Sequence, residues 1–281
     1  MKGSARYPLI VFVLVIITQA IGSYLEGDSG GPVSRRPPIE LAPDGGPELA
    51  PPGRLDPVAD IEVGPKRNSV GTAFAIRDDG VWLTARHVVD GCDKVGIIIG
   101  DRRAIAADRV EINPRADMAI LWTRRQSPAM AIASAPLRVN QAGYHFGFPG
   151  SRPGQATSKL IGRLRARSIG RYRITEPAIA WAETARAPDF DRLGGISGGP
   201  AVNSRGEIIG VTFAGSKRRG RIFTTAPQSM EQLLKAANIQ PNGRQSADLD
   251  VSGPTMENFV KYGDALRRQL TVAQVICRVI E

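Results

Sequence analysis

Three short segments set a histidine, a carboxylate and a serine where they could do chemistry: Trp82-Leu83-Thr84-Ala85-Arg86-His87-Val88-Val89, Ala116-Asp117-Met118-Ala119-Ile120-Leu121 and Gly194-Gly195-Ile196-Ser197-Gly198-Gly199-Pro200-Ala201. A serine hydroxyl is a poor nucleophile until a neighbouring imidazole takes its proton, and the imidazole needs a carboxylate to fix its tautomer. These three residue types together point to nucleophilic acyl transfer. The chain has 2 histidines, so the rival base is His145. The rival carboxylate is Asp90, but the pair Asp90-Gly91 reads as a turn with a solvated acid. Asp117 instead opens the apolar run Met118 to Trp122, where a carboxylate is costly unless a donor waits for it, as a protonated imidazole does.

In this order and at this spacing the three segments resemble the trypsin-like serine peptidases, within them the bacterial HtrA/Deg branch. The resemblance runs from about residue 66 to 240, and includes Gly71-Thr72-Ala73-Phe74 before the histidine and Gly206-Glu207-Ile208-Ile209-Gly210-Val211 after the serine. It implies an all-β, chymotrypsin-like fold of two antiparallel β-barrels, with a C-terminal helix and short extension. It also implies a catalytic triad of His87, Asp117 and Ser197. The glycines around the serine let the chain turn so that the N–H groups of Gly195 and Ser197 converge on a developing oxyanion. His145, in Gly143-Tyr144-His145-Phe146-Gly147, falls on a barrel strand of the family and is assigned a structural role.

Departures from the family pattern narrow the branch. Ile196 replaces the aspartate that pairs with a newly cut N-terminus in digestive enzymes, and Val88 replaces the cysteine that follows their histidine. Residues 241–281 are too few for a PDZ domain. Asp191, six residues before Ser197, sits at the offset of the primary specificity pocket, where a carboxylate would select Lys or Arg. Arg192 beside it and the aliphatic preference usual in HtrA-like enzymes favour small or medium aliphatic residues before the cut. Thr212, Phe213 and Ala214 are the other expected substrate contacts. Gly27-Asp28-Ser29-Gly30-Gly31-Pro32 spells a trypsin-type serine motif, but it precedes the histidine and enters a proline-rich stretch, so Ser29 is read as linker.

The elements that must position these residues follow from composition. Of 281 residues, 42% are hydrophobic and 6% aromatic, while Gly 31 and Pro 21 make up nearly a fifth, which favours short strands and tight turns over a helical bundle. Strand-like runs recur at Gly71–Ile76, Val81–Ala85, Val95–Ile99, Asp117–Thr123, Ala142–Phe148, Leu160–Ile169, Ile179–Glu183, Ile208–Phe213 and Arg221–Thr225. Ser229 and Gln232 form a capping-box pattern for a helix to Ala237; a second amphipathic helix carrying Met256, Phe259, Val260 and Leu266 precedes a final strand, Val272–Ile280.

The ends and the charge set the expected location. Tyr7 to Leu25 is uncharged and follows Lys2 and Arg6, so residues 1–26 read as a signal anchor, with cleavage near Ala20 as the alternative. Residues after Glu26 are then outside the cytoplasmic membrane, periplasmic or extracytoplasmic. Residues 27–65 are a Pro/Gly-rich linker, 66–240 the peptidase domain and 241–281 a C-terminal extension. The net charge of +10 is spread along the chain, apart from Lys217-Arg218-Arg219-Gly220-Arg221, read as a hairpin tip, so no specific nucleic-acid partner is expected. Cys92 and Cys277 lack metal-ligand spacing; no metal or cofactor is expected, and the default is one buried and one exposed thiol, with a bridge as the alternative. The function these features predict is a serine endopeptidase acting on proteins or peptides through an acyl-enzyme on Ser197; a catalytically inactive binding or scaffold module is the second reading. An esterase is disfavoured because Pro200 and a strand, not a helix, follow the serine.

Overall fold

The computed structural model describes residues 45–101, 103–188, 194–216, 220–244 and 253–280. The N-terminal uncharged segment, Ser29, Asp191 and the Lys217–Arg219 cluster lie outside them. In chain order the strands are β1 (Val58–Val63), β2 (Ser69–Arg77), β3 (Val81–Thr84), β4 (Lys94–Gly100), β5 (Arg103–Ala106), β6 (Arg109–Ile112), β7 (Ala119–Trp122), β8 (Ala142–Gly147), β9 (Gly154–Gly170), β10 (Thr175–Ala187), β11 (Pro200–Val202), β12 (Ile208–Ser216), β13 (Arg221–Thr225) and β14 (Val272–Arg278). The helices are α1 (Arg86–Val89), α2 (Pro227–Ala236) and α3 (Phe259–Arg268).

Two seven-stranded sheets carry the fold, in the orders β5-β4-β14-β2-β3-β7-β6 and β1-β9-β10-β13-β12-β11-β8, and the second closes on itself through β8 and β9. This is the all-β, chymotrypsin-like architecture expected. Strand runs such as Ala73 to Ile76 are apolar without a break because both faces are covered. Ala73 and Ala75 turn into the first barrel with Trp82, Ala119, Leu121 and Val275, whereas Phe74 and Ile76 turn outward onto Leu83, Met118, Tyr144 and Phe146. That outward layer also takes Met230, Leu233 and Leu234 of α2 and Phe259, Tyr262 and Leu266 of α3. Both helices therefore seal the packing between the sheets. At about 1.5–3 kcal/mol for each large apolar side chain fully buried, this layer is a principal source of stability.

Four expectations change. The segment beyond residue 240 supplies β14, which lies between β2 and β4 inside the first sheet, so that sheet is held together by a strand from this segment. The proline-rich stretch before residue 65 contains β1, which pairs in parallel with β9 from Val58↔Arg165 to Val63↔Gly170. Helix α2 starts at Pro227, with Ala226 at the N-cap and no side-chain capping bond, so Ser229 is a buried residue of the first turn. Proline at the first helical position sets the entry angle and loses no hydrogen bond there. Finally, Cys92 and Cys277 form a disulfide, with Cα atoms 5.5 Å apart. Cys277 stands opposite Val95 in the β14–β4 ladder, three residues from Cys92, which brings the two side chains together. No helix among the described residues is long and apolar enough to cross a membrane.

Candidate active site

His87 is carried by α1, a four-residue turn pinned by buried Val88 and Val89. Asp117 lies at the mouth of β7 and is 1% exposed. The two are joined twice: His87 Nδ1 lies 2.8 Å from Asp117 Oδ2, and the His87 backbone N–H donates to Asp117 Oδ1 at 2.9 Å. Burial disfavours charge on both groups, but their mutual attraction and hydrogen bond outweigh it. The His87 pKa is held above its ordinary value and that of Asp117 below its own, with Arg171 opposing the His87 shift.

Behind this pair stands a layer that sequence inspection missed, supplied by the turn and strand after β9. Arg171 donates to the carbonyls of His87 at 2.8 Å and Asp90 at 3.0 Å. The Tyr172 hydroxyl is buried against Asp117 without meeting hydrogen-bond geometry. Glu176, 1% exposed, accepts the Asp117 backbone N–H on Oε1 at 2.8 Å. Its burial, with the Asp117 charge beside it, raises its pKa well above the ordinary carboxylate range. No local motif announces these residues, because β9 and β10 are 17 and 13 residues long and bring their connecting turn across to the histidine.

Ser197 follows Gly195, whose φ of +101° suits glycine; a Cβ there would lie 2.3 Å from the Phe148 carbonyl oxygen. The Gly194 carbonyl accepts from the Gly150 N–H at 2.8 Å. In a trans peptide the C=O and the following N–H point in opposite directions, so the Gly195 N–H is turned away from Gly150. Neither that N–H nor the Ser197 N–H donates to an acceptor among the described residues. Thr72 fastens the loop: its hydroxyl donates to the Gly195 carbonyl at 2.7 Å and accepts from the Phe148 N–H at 3.1 Å, while its N–H donates to the Ser197 carbonyl at 2.8 Å.

His87, Asp117 and Ser197 line one cleft of about 970 Å³, together with Ile196, Phe213, Ala214, Gly215, Ser216 and Phe223. The Ser197 hydroxyl donates to the Phe213 carbonyl at 3.3 Å. Of the expected substrate contacts, Phe213 and Ala214 face the cleft. Thr212 does not; its hydroxyl is buried and bonds His145 Nδ1 at 3.0 Å. His145 is wholly buried, with Nε2 also bonded to Ser158 at 2.7 Å, and its pKa falls to about 3 through burial, so it stays neutral. Asp90 is engaged by Arg86 Nε at 3.0 Å.

With the fold and the cleft described, comparison with known proteins gives the class. Residues 71–211, half the chain, match the family model of the trypsin-like peptidase domain, and the chain belongs to that family. It is 27% identical over 234 residues to a probable periplasmic serine endoprotease, DegP-like, of Halomonas elongata, covering 72% of this chain and 48% of that protein. It is 30% identical over 177 residues to the serine protease Rv3671c of Mycobacterium tuberculosis, covering 62% of this chain and 43% of that one. The chain thus spans about half the length of these relatives or less. The crystal structure of the Rv3671c protease in its active form shares the fold, with a TM-score of 0.52 over 69% of this chain and 96% of that chain at 22% identity.

Proposed function

We propose that this chain is a serine endopeptidase that cleaves proteins outside the cytoplasmic membrane through an acyl-enzyme on Ser197. The observation that carries the reading is half-buried His87 doubly bonded to buried Asp117 in the same cleft as Ser197, with the Gly195 and Ser197 N–H groups of the serine loop unclaimed among the described residues. In this reading the Ser197 side chain turns from the Phe213 carbonyl toward His87 Nε2. As Oγ attacks the scissile carbonyl carbon, its proton passes to Nε2, and Asp117 stabilises the imidazolium. The carbonyl oxygen, now negative, takes the Gly195 and Ser197 N–H groups. The proton then moves from Nε2 to the leaving amine as the C–N bond breaks, and water, deprotonated by the same nitrogen, hydrolyses the ester. Phe213, Ala214 and Phe223 give the cleft an apolar wall, which supports cleavage after small or medium aliphatic residues.

Placement outside the membrane is supported by the uncharged segment behind Lys2 and Arg6 and by the Cys92–Cys277 disulfide, since such bonds persist in oxidising compartments. Residues 1–26 serve as anchor or as cleaved signal. A fluorophosphonate probe tests the chemistry: wild type is labelled, and Ser197→Ala and His87→Ala are not. Casein hydrolysis by purified Ser197→Ala at the wild-type rate would sink the assignment. A peptide library read on wild type and Asp191→Ser tests specificity; a Lys/Arg preference lost in the variant overturns the aliphatic reading.

A further inference from the structure

Part of the cleft's wall is made by β1 and the two residues that follow it. Asp60, Ile61, Glu62, Val63, Gly64 and Pro65 all line the same cavity as His87 and Ser197. Side chains of a strand alternate between two faces, so a face turned to a cavity contributes every second residue. Four consecutive strand residues, Asp60 to Val63, odd and even alike, are contributed when the backbone edge is turned to it.

The pairing of β1 shows which backbone groups that edge holds. In β1 the carbonyls of Pro57 and Val63 accept from the N–H groups of Arg165 and Arg171 at 2.8 and 3.2 Å. Residues of that parity, 57, 59, 61 and 63, therefore face β9, and in a parallel ladder the alternate residues present both N–H and C=O to the other side. Val58, Asp60 and Glu62 hold the free edge, with Gly64 just past the strand's end, and among the described residues β1 ends its sheet with no second neighbour. The strand is firmly seated: Ala59 and Ile61 pack against the first core, and Gly170 leaves room for the Val63 carbonyl, where a Cβ would lie 2.3 Å away. Arg171, which binds the Val63 carbonyl through its N–H, binds the His87 carbonyl through its guanidinium, so the edge is registered to the catalytic histidine.

We propose that the free edge of β1 is a peptide-binding strand: an extended substrate segment runs through the cleft hydrogen-bonded to the backbone of Asp60, Glu62 and Gly64. This rests on the peptidase reading of the cleft and adds a second wall to it. An edge of this kind recognises the main chain of any extended polypeptide and has little demand on side chains. The occupant is thus an unfolded or locally unfolded protein segment.

The test separates binding from chemistry by using Ser197→Ala protein and fluorescein-labelled casein as the probe. Proline at 62 removes the free-edge N–H without touching the ladder to β9, and edge strands tolerate it. Glu62→Pro is expected to weaken casein binding about 3- to 10-fold, the worth of a lost backbone hydrogen bond, while Glu62→Ala binds as the parent does. In the parent Ser197→Ala protein, casein should slow amide exchange at Asp60, Glu62 and Gly64 and leave Ile61 and Val63 unchanged; this measurement stands whether or not the proline variant folds. Equal affinities for Glu62→Pro and Glu62→Ala, or exchange at 60, 62 and 64 unmoved by bound casein, overturns the proposal. Failure of wild type to cleave casein, with binding as described, instead removes the serine chemistry and leaves the edge in place.

Discussion

Thr72 lies on a strand of the first sheet, Gly195 on the serine loop of the second, and the Thr72 hydroxyl donates to the Gly195 carbonyl at 2.7 Å. The same oxygen accepts from Phe148, so one hydroxyl satisfies a backbone group of the loop that carries Ser197 and another of the segment after β8. Thr72→Val keeps the shape and leaves both groups without a partner, at about 1–3 kcal/mol. We expect kcat for peptide hydrolysis to fall about tenfold or more with KM little changed, and Thr72→Ser to restore most of it. A Thr72→Val enzyme with wild-type kcat would show that the loop holds its form without this tie.

The His87–Asp117 pair sets the pH profile. The base must be neutral to accept the serine proton, and its pKa is raised, so kcat/KM should fall on the acid side with a midpoint above 6.5, the ordinary histidine value. In Asp117→Asn the raising influence is gone, while burial and the Arg171 charge remain. The midpoint should then shift downward, and kcat should fall by roughly 10⁴-fold as the tautomer is lost. The check is kcat/KM between about pH 5 and 9; a wild-type midpoint at or below 6.5 would refute the coupling.

The Cys92–Cys277 bond joins residues 185 apart in sequence and ties the turn after His87 to β14. Closing so long a loop is worth about 5 kcal/mol in the chain-entropy account, with about 2–5 kcal/mol typical of removed native disulfides. Cys92→Ser/Cys277→Ser, or dithiothreitol on the wild type, should lower Tm on the order of 10 °C. Alkylation before reduction should modify neither cysteine. Two thiols reactive in the unreduced native protein would contradict the bridge.

Much of this was legible in the sequence where it was written locally. Runs such as Val81 to Ala85 announce strands because both faces are buried, and the glycines around Ser197 announce a turn that side chains would obstruct. The short polar strands β5 and β6 were missed because their residues are largely exposed or half-buried and show no apolar run. β1 was lost among prolines, and its pairing with β9 lies about a hundred residues away. Thr72, Arg171 and Glu176 act through bonds to backbone groups across sequence separations of 59 to 123 residues, a relation no spacing rule encodes. The disulfide belongs to the same class, decided by a ladder between the last strand and β4.

Glu176 gives the last prediction. It accepts the Asp117 N–H on one oxygen, while Oε2 is buried without a partner among the described residues. Burial first, and the Asp117 charge second, raise its pKa in the fold well above the ordinary 4.5 at which it ionises in the unfolded chain. Between those two pKa values the native state binds more protons than the unfolded state. Stability must therefore be fully present below 4.5 and decline as pH rises toward the folded pKa, the reverse of a salt-bridged carboxylate. Glu176→Gln keeps the acceptor for Asp117 and carries no charge to neutralise. Its Tm should match wild type below pH 4.5 and exceed it by a margin that grows as pH rises from there toward the folded pKa, with peptide hydrolysis retained. Glu176→Ala removes the acceptor, and should lower Tm across the range and reduce kcat. Parallel Tm profiles for wild type and Glu176→Gln would mean that Glu176 is ionised in the fold, and the neutral acid behind Asp117 would have to be abandoned.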